Sequence, residues 1–365
     1  MIGNFSFTRA LPLLLTALLL PAWSMAQTAA QSATVARIPL LDQPALQSAK
    51  APRSVLLAVT RAGERLVAVG ERGIVLLSDD SGASWRQAKV PASVSLTSVQ
   101  FVDAEYGWAV GHLGVVLHST DGGETWSKQL DGIQAAQLAL AAAQQSGDER
   151  LLKGAEWLVA DGPDKPFLDL YFSDRRHGYI VGAYGLILRT TDGGASWQSW
   201  MGQVENPEGL NLYAIDAQGG ELFIAGERGL LLRSSDAGQS FQALASPYEG
   251  SFFGLLSSRS GGLLAYGLRG NAWWSSDRGD SWQQLDTGLE SALAAGIELA
   301  DGSLLLASQS GELLLSDDSG RHFEHRRTHE GATVAAVEQA ADGSLTSVGL
   351  GGLSARQEIQ AAARP

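Results

Sequence analysis

Two motifs recur along this chain at a nearly fixed interval. The first is a turn in the pattern G-x-x-G, as in VAVGERGIVLLS (67–78), WAVGHLGVVLHS (108–119), YIVGAYGLILRT (179–190), FIAGERGLLLRS (223–234) and LAYGLRGNAWWS (264–275). LLASQSGELLLS (305–316) and TSVGLGGLSARQ (346–357) are looser sixth and seventh copies. The second, S/T-x-D-x-G-x-x-W/F, follows the first six at 78–85, 119–126, 190–197, 234–241, 275–282 and 316–323. The closing glycine of the turn falls at 73, 114, 185, 229, 270, 311 and 352, a spacing of 41 residues broken only by 71 and 44 after the second and third copies. Units of that length with several short strands each build a ring of four-stranded blades. The fold class is therefore all-β, a seven-bladed β-propeller.

Each unit reads as an apolar inner strand such as LLAV (56–59) or FFGLL (252–256), a turn, the strands on either side of G-x-x-G, the aspartate turn, and a polar outer strand such as WSKQL (126–130). The aspartates Asp80, Asp121, Asp192, Asp236, Asp277 and Asp318 sit in hairpins, where a carboxylate accepts backbone N–H groups. Glycine at the fifth position supplies a left-handed bend. The closing Trp85, Trp126, Trp197, Phe241, Trp282 and Phe323 fill the gaps between blades. Six equivalent sites around a ring cannot serve one active centre, so this motif is structural.

The seventh unit ends after its third strand near Gln357. ATVARIPLL (33–41) is rich in strand formers and is expected to supply the missing outer strand, a Velcro closure of the ring. The long interval carries an Ala-, Gln- and Leu-rich segment, 131–163, read as two short helices broken near Ser146-Gly147 and inserted between blades 2 and 3. The expected layout is a signal peptide over 1–26, the propeller over 27–357 and a C-terminal tail over 358–365.

The opening segment has one positive charge, Arg9, before an apolar run, and Ser24-Met25-Ala26 ahead of a cleavage point after Ala26. Export to the periplasm, or to a thylakoid lumen, follows as an expectation. There is no cysteine for a lipid or a disulfide, and no later stretch is long and apolar enough to span a bilayer. A formal net charge of −13 argues against nucleic acid, which needs clustered Lys and Arg.

Aspartate boxes coupled to G-E-R-G turns, in GERGIVLLSDDSGASWRQ (70–87) and GERGLLLRSSDAGQSF (226–241), resemble the BNR/Asp-box propellers of the photosystem II stability and assembly factor family. The resemblance runs over about residues 55–357. It implies a non-catalytic, monomeric scaffold with no cofactor, docking through an arginine-rich surface onto a membrane protein complex: a photosystem II-like assembly intermediate or a transporter. The acidic balance and the Ala-rich insertion depart from that family.

Two other classes compete. A sialidase-like glycoside hydrolase or carbohydrate-binding propeller would share the boxes, and Arg37-Ile38-Pro39 mimics a sialidase stretch. Such an enzyme needs three arginines, a Tyr–Glu pair and an acid Asp at inner-strand ends, yet LYAIDAQ (212–218) and LAAGIELA (293–300) carry no arginine. His322, His325 and His329 cluster near the sixth box but read as a polar outer strand rather than a metal site. Of Trp273 and Trp274, alternation turns one ring inward and the other toward solvent or a partner, with packing the default for both. The candidate partner-binding residues are the G-x-x-G side chains Arg72, His112, Tyr184, Arg228 and Arg269. They are expected to rim one mouth of the central channel and to bind carboxylates, unless each arginine pairs with a neighbour such as Glu71 or Glu227.

Overall fold

The computed structural model describes residues 38–327, 333–354 and 356–357. Seven antiparallel sheets follow one another, six of four strands and one of three, with every strand beside its sequence neighbour. The innermost strands are Leu56–Ala62, Leu96–Phe101, Phe167–Phe172, Leu212–Gln218, Phe252–Ser257, Leu293–Glu298 and Ala336–Gln339. Each touches the next, and the seventh touches the first, so the sheets close into a ring. We call them blades 1 to 7. The second strands, such as Gly107–Gly111 and Leu263–Gly267, are buried along their whole length because both faces meet other blades. That burial explains their apolar runs without polar alternation.

Asp121 illustrates the aspartate turns. Its Oδ1 accepts the Ser119 hydroxyl at 2.9 Å and the Thr125 N–H at 3.0 Å, while Oδ2 accepts the Thr125 hydroxyl. The Ser119 oxygen in turn accepts the Gly123 N–H at 2.9 Å. Ser84, Ser196, Ser240 and Ser281 take the place of Thr125 in four other boxes. Donation from Ser84 and Ser281 to Asp80 and Asp277 lowers those carboxyls to about 2. The bend is tighter than one glycine would make it: Ser81 and Gly82 are both left-handed, at φ 55° and 86°.

The box aromatics wedge against the preceding blade. Trp126 lies with Val67 and Leu77 of blade 1, edge-on to Phe101 at 5.9 Å. Trp197 packs with Trp108, Phe241 with Tyr179, Trp282 with Phe223, Phe323 with Leu264, and Trp85 with Val348 of blade 7. Trp273 and Trp274 are both half-buried, against the cores on opposite sides of blade 5, so neither ring is turned out to solvent.

The start of the described chain departs from expectation. Residues 33–37 lie outside the described residues, but Pro39–Asp42 forms a short helix, α1, rather than a strand of blade 7. Proline at a first helical position has its φ preset and loses no hydrogen bond there. Leu41 packs into the core shared by blades 1 and 2, and the Leu40 carbonyl accepts the Ser93 N–H at 2.8 Å. Blade 7 keeps three strands among the described residues, the third being Gly352–Leu353, and Gln357 separately exchanges backbone bonds with Leu345 at 2.8 and 3.0 Å.

Two helices stand between the last strand of blade 2 and the first of blade 3: α2 (Gly132–Ser146) and α3 (Glu149–Asp161). Asp131 and Gln134 form a capping box on α2, Gly147 closes it at φ 70°, and Asp148 caps α3. Truncating an interblade wedge opens a cavity that rigid strands cannot collapse. Trp126→Ala should therefore lower stability by about 3–5 kcal/mol. Asp121→Ala removes only the turn's hydrogen bonds and should cost less; urea unfolding of both variants checks the order.

Candidate partner-binding face

The G-x-x-G turns join the second and third strands of blades 1 to 5. A Cβ on Gly70 would lie 2.1 Å from the Val55 carbonyl, and one on Gly73, where φ is +73°, 2.0 Å from that of Ala92. The turn is thus clamped between its own inner strand and the segment leading to the next blade. Only its two middle residues can carry side chains. The second of these is left-handed without being glycine: Arg72, Leu113, Tyr184, Arg228 and Arg269 have φ of 53°, 54°, 57°, 53° and 56°. A residue with a Cβ bears about 1–2 kcal/mol of strain there.

All second-to-third turns leave the same end of the strands, so Arg72, His112, Tyr184, Arg228 and Arg269 emerge on one face, each of them exposed. A cavity of about 430 Å³ is lined by Leu57, Phe253 and Ala294 of the inner strands, by Ala335 just ahead of the seventh, and by Gln309 and Leu350 of the sixth and seventh turns. None of the five candidate residues lines it, and Arg269 lines an open groove with Gln284 and Asp286.

Neither neighbouring glutamate neutralises these arginines. Glu71 accepts the Val55 N–H at 3.1 Å and Glu227 that of Asn211 at 3.2 Å, each tying its turn to the inner strand. Arg228 instead meets Glu208 at 2.7 Å, both side chains being more than half exposed, a pair worth little in water. Among the described residues Arg72 and Arg269 have no acid within ion-pair distance. The insertion adjoins this face: a Cβ on Gly114 would sit 2.4 Å from the Gly132 Cα, and the Lys165 ammonium lies 5.0 Å from the centre of the Tyr184 ring. Helix α3 exposes Trp157 to 65%.

Near the sixth box, His322 belongs to the aspartate turn itself, its Nδ1 2.6 Å from Asp318. His325 lies on the exposed outer strand Glu324–Arg327, and His329 is outside the described residues. Arg37 is outside them too. The seven inner strands carry one arginine, Arg61, where a sialidase needs three.

A family model for the photosynthesis system II assembly factor YCF48 matches residues 56–134, 77–165 and 153–249, together more than half of the chain. The chain belongs to that family. Curated relatives match over shorter stretches. The photosystem II assembly lipoprotein Ycf48 of Parasynechococcus marenigrum (strain WH8102) is 43% identical over 54 residues, 15% of this chain and 16% of its own. That of Synechococcus sp. (strain RCC307) is 34% identical over 92 residues, 25% of each chain. The aligned stretches thus span a quarter or less of those relatives. A solved structure described as YCF48 bound to D1 peptide covers 89% of this chain and all of its own, with a TM-score of 0.64 at 16% identity. The WD40 β-propeller domain of Doa1 covers 87% of this chain and 96% of its own, at 0.61 and 9%. At such identities the likeness speaks for the fold.

One feature of this YCF48-family ring has no counterpart among the sequence motifs: acids inside the channel wall. Asp169 accepts the Ser98 hydroxyl of blade 2 at 2.8 Å and the Ile215 N–H of blade 4 at 3.0 Å. Asp216 accepts the Ser257 N–H of blade 5 at 2.7 Å. An acid inside LDLYFS (168–173) was the available signal. Burial pushes Asp169 up to about 6 and Glu338 up to about 7. A raised carboxyl keeps its proton in the folded state after the unfolded chain has released it. Stability from Asp169 is therefore full below about 3.8 and is lost as pH rises through about 6. Asp169→Asn cannot ionise, so its loss of melting temperature between these pH values should be smaller than that of the parent. Equal slopes would show that Asp169 stays charged.

Proposed function

We propose that this chain is an exported, non-catalytic assembly factor that docks its G-x-x-G face onto a membrane protein complex, a photosystem II reaction-centre intermediate by family analogy. The observation that carries this reading is Arg72 and Arg269, exposed without an acid partner in strained, left-handed turns. A fold gains nothing from arginine where glycine would relax the backbone, so the side chain serves something outside the ring. Guanidinium groups suit carboxylates, and a neighbour of the same fold is described as bound to a D1 peptide. Here the matching segment would be an acidic or C-terminal stretch of the membrane partner. The relatives are called lipoproteins, whereas these 365 residues hold no cysteine to acylate; a cleaved leader ending at Ala26 would deliver the protein soluble to the periplasm or lumen. In this reading the protein acts as a monomer.

The test is binding of a D1 peptide. Affinity should fall as salt screens the charges, and Arg72→Ala, Arg228→Ala and Arg269→Ala together should abolish binding while the melting temperature holds. Normal binding by the triple variant would move the site elsewhere. Replacing 131–163 by a short Gly-Ser link should leave the ring folded and weaken the peptide complex; global unfolding would instead make the helices part of the core.

A further inference from the structure

On the face of the aspartate turns, opposite the G-x-x-G turns, a cavity of about 530 Å³ opens between blades 3 and 4. Blade 3 supplies Tyr171, His177, Tyr179 and Arg189; blade 4 supplies small groups, Ala217, Gly219, Gly220 and Ala237, and the amide of Gln239. A Cβ added to Gly220 would touch nothing within 4 Å, so the hollow results from missing side chains rather than from loose packing.

Arg189 is the unusual member. Among the described residues it is the one half-buried Arg or Lys with no carboxylate within ion-pair distance. Its guanidinium lies 4.8 Å from the Trp200 ring centre and 5.8 Å from that of Tyr179, and donates only a long bond of 3.4 Å to Gln239 Oε1. The repeat provides an internal control. Arg233 occupies the same position one blade later, immediately before its box, and there the next box presents Asp280, 2.8 Å away. Gln239 stands where Asp280 stands. One Arg has been given its acid by the neighbouring blade, and the other has been given a neutral amide.

The rest of the wall leaves that charge unanswered. Asp174, at the rim, accepts the N–H groups of Arg176 and His177 and faces His177 Nδ1 at 2.9 Å. Since that carboxylate needs a donor, Nδ1 carries the proton and Nε2 is the ring nitrogen left for a ligand. Tyr179 gives its hydroxyl to the Gly238 carbonyl at 3.0 Å, whereas the Tyr171 hydroxyl has no partner among the described residues. We infer that this cavity is a binding site for a small organic carboxylate. The carboxylate pairs with Arg189 as Asp280 pairs with Arg233, and an apolar or aromatic body lies against Tyr171 and Tyr179. The volume falls in the range of small-molecule pockets, not of a flat peptide-docking surface.

Benzoate is a suitable probe and benzamide its neutral counterpart, followed by saturation-transfer NMR on the full-length protein. Benzoate should bind at millimolar concentration, and benzamide about tenfold more weakly, the scale of one lost charge-assisted pair. Arg189→Gln should remove the preference. Gln239→Glu, at an exposed position that cannot unfold the ring, should occupy Arg189 from within and abolish benzoate binding as well. No transfer from benzoate to the parent protein, equal affinity for benzamide, or unchanged benzoate affinity in Gln239→Glu would each overturn the assignment.

Discussion

No blade of this ring can bury itself. A four-stranded sheet has two apolar faces, and here both are covered mainly by other blades, so the second strands are inaccessible along their length. Stability therefore belongs to the interfaces, and the interfaces depend on how accurately each wedge aromatic is delivered to its neighbour. The aspartate turn does that delivery. Its carboxylate gathers the hydroxyl before it and the N–H and hydroxyl after it, so the residue next in line, Trp126 in blade 2, is aimed at blade 1. Where the sixth box lacks a second hydroxyl, His322 substitutes through its ring nitrogen and Phe323 is still placed.

The same economy explains why function is confined to few positions. Strands are committed to packing, and the first glycine of each G-x-x-G in blades 1 to 5 is pressed against a carbonyl oxygen. Two residues per turn remain on one face, and the fourth and sixth positions of an aspartate hairpin, such as Ala237 and Gln239, on the other. The repeat can change these without disturbing the ring. Selection for binding has little else to act on.

Much of this was legible in the sequence because it repeats. The period gave the blades, and a departure from the period gave the place of α2 and α3, with Gly147 marking the break between them. What was not legible is radial position. Spacing along the chain tells which turn carries Arg72, but not how far that turn stands from the axis of the ring. Pairings across blades were hidden for the same reason: Glu71 was a plausible partner for Arg72 by adjacency, yet its carboxylate is turned to the Val55 N–H. ARIPLL reads as a strand by composition, and Pro39 together with the apolar gap beside Leu41 made its end a helix. Asp169 was visible as a letter but not as a bridge across three blades, which requires the ring.

Charge ties the two faces together. With 39 acidic against 26 basic residues, this chain had acids enough to answer every guanidinium, and it often does: Arg65 and Arg86 share Asp79 and Glu124, and Arg175 meets Asp103. Against that background an unanswered arginine marks a place where the obvious acid was withheld. For Arg72 the acid is next door and spent on the backbone. For Arg189 the repeat shows which residue would have supplied it, since Asp280 does so for Arg233. A protein that repels anions over most of its surface offers them little choice of where to bind. Long-range repulsion by the acidic surface would slow the approach of acidic ligands, so at either proposed site short-range guanidinium contacts would have to supply the affinity.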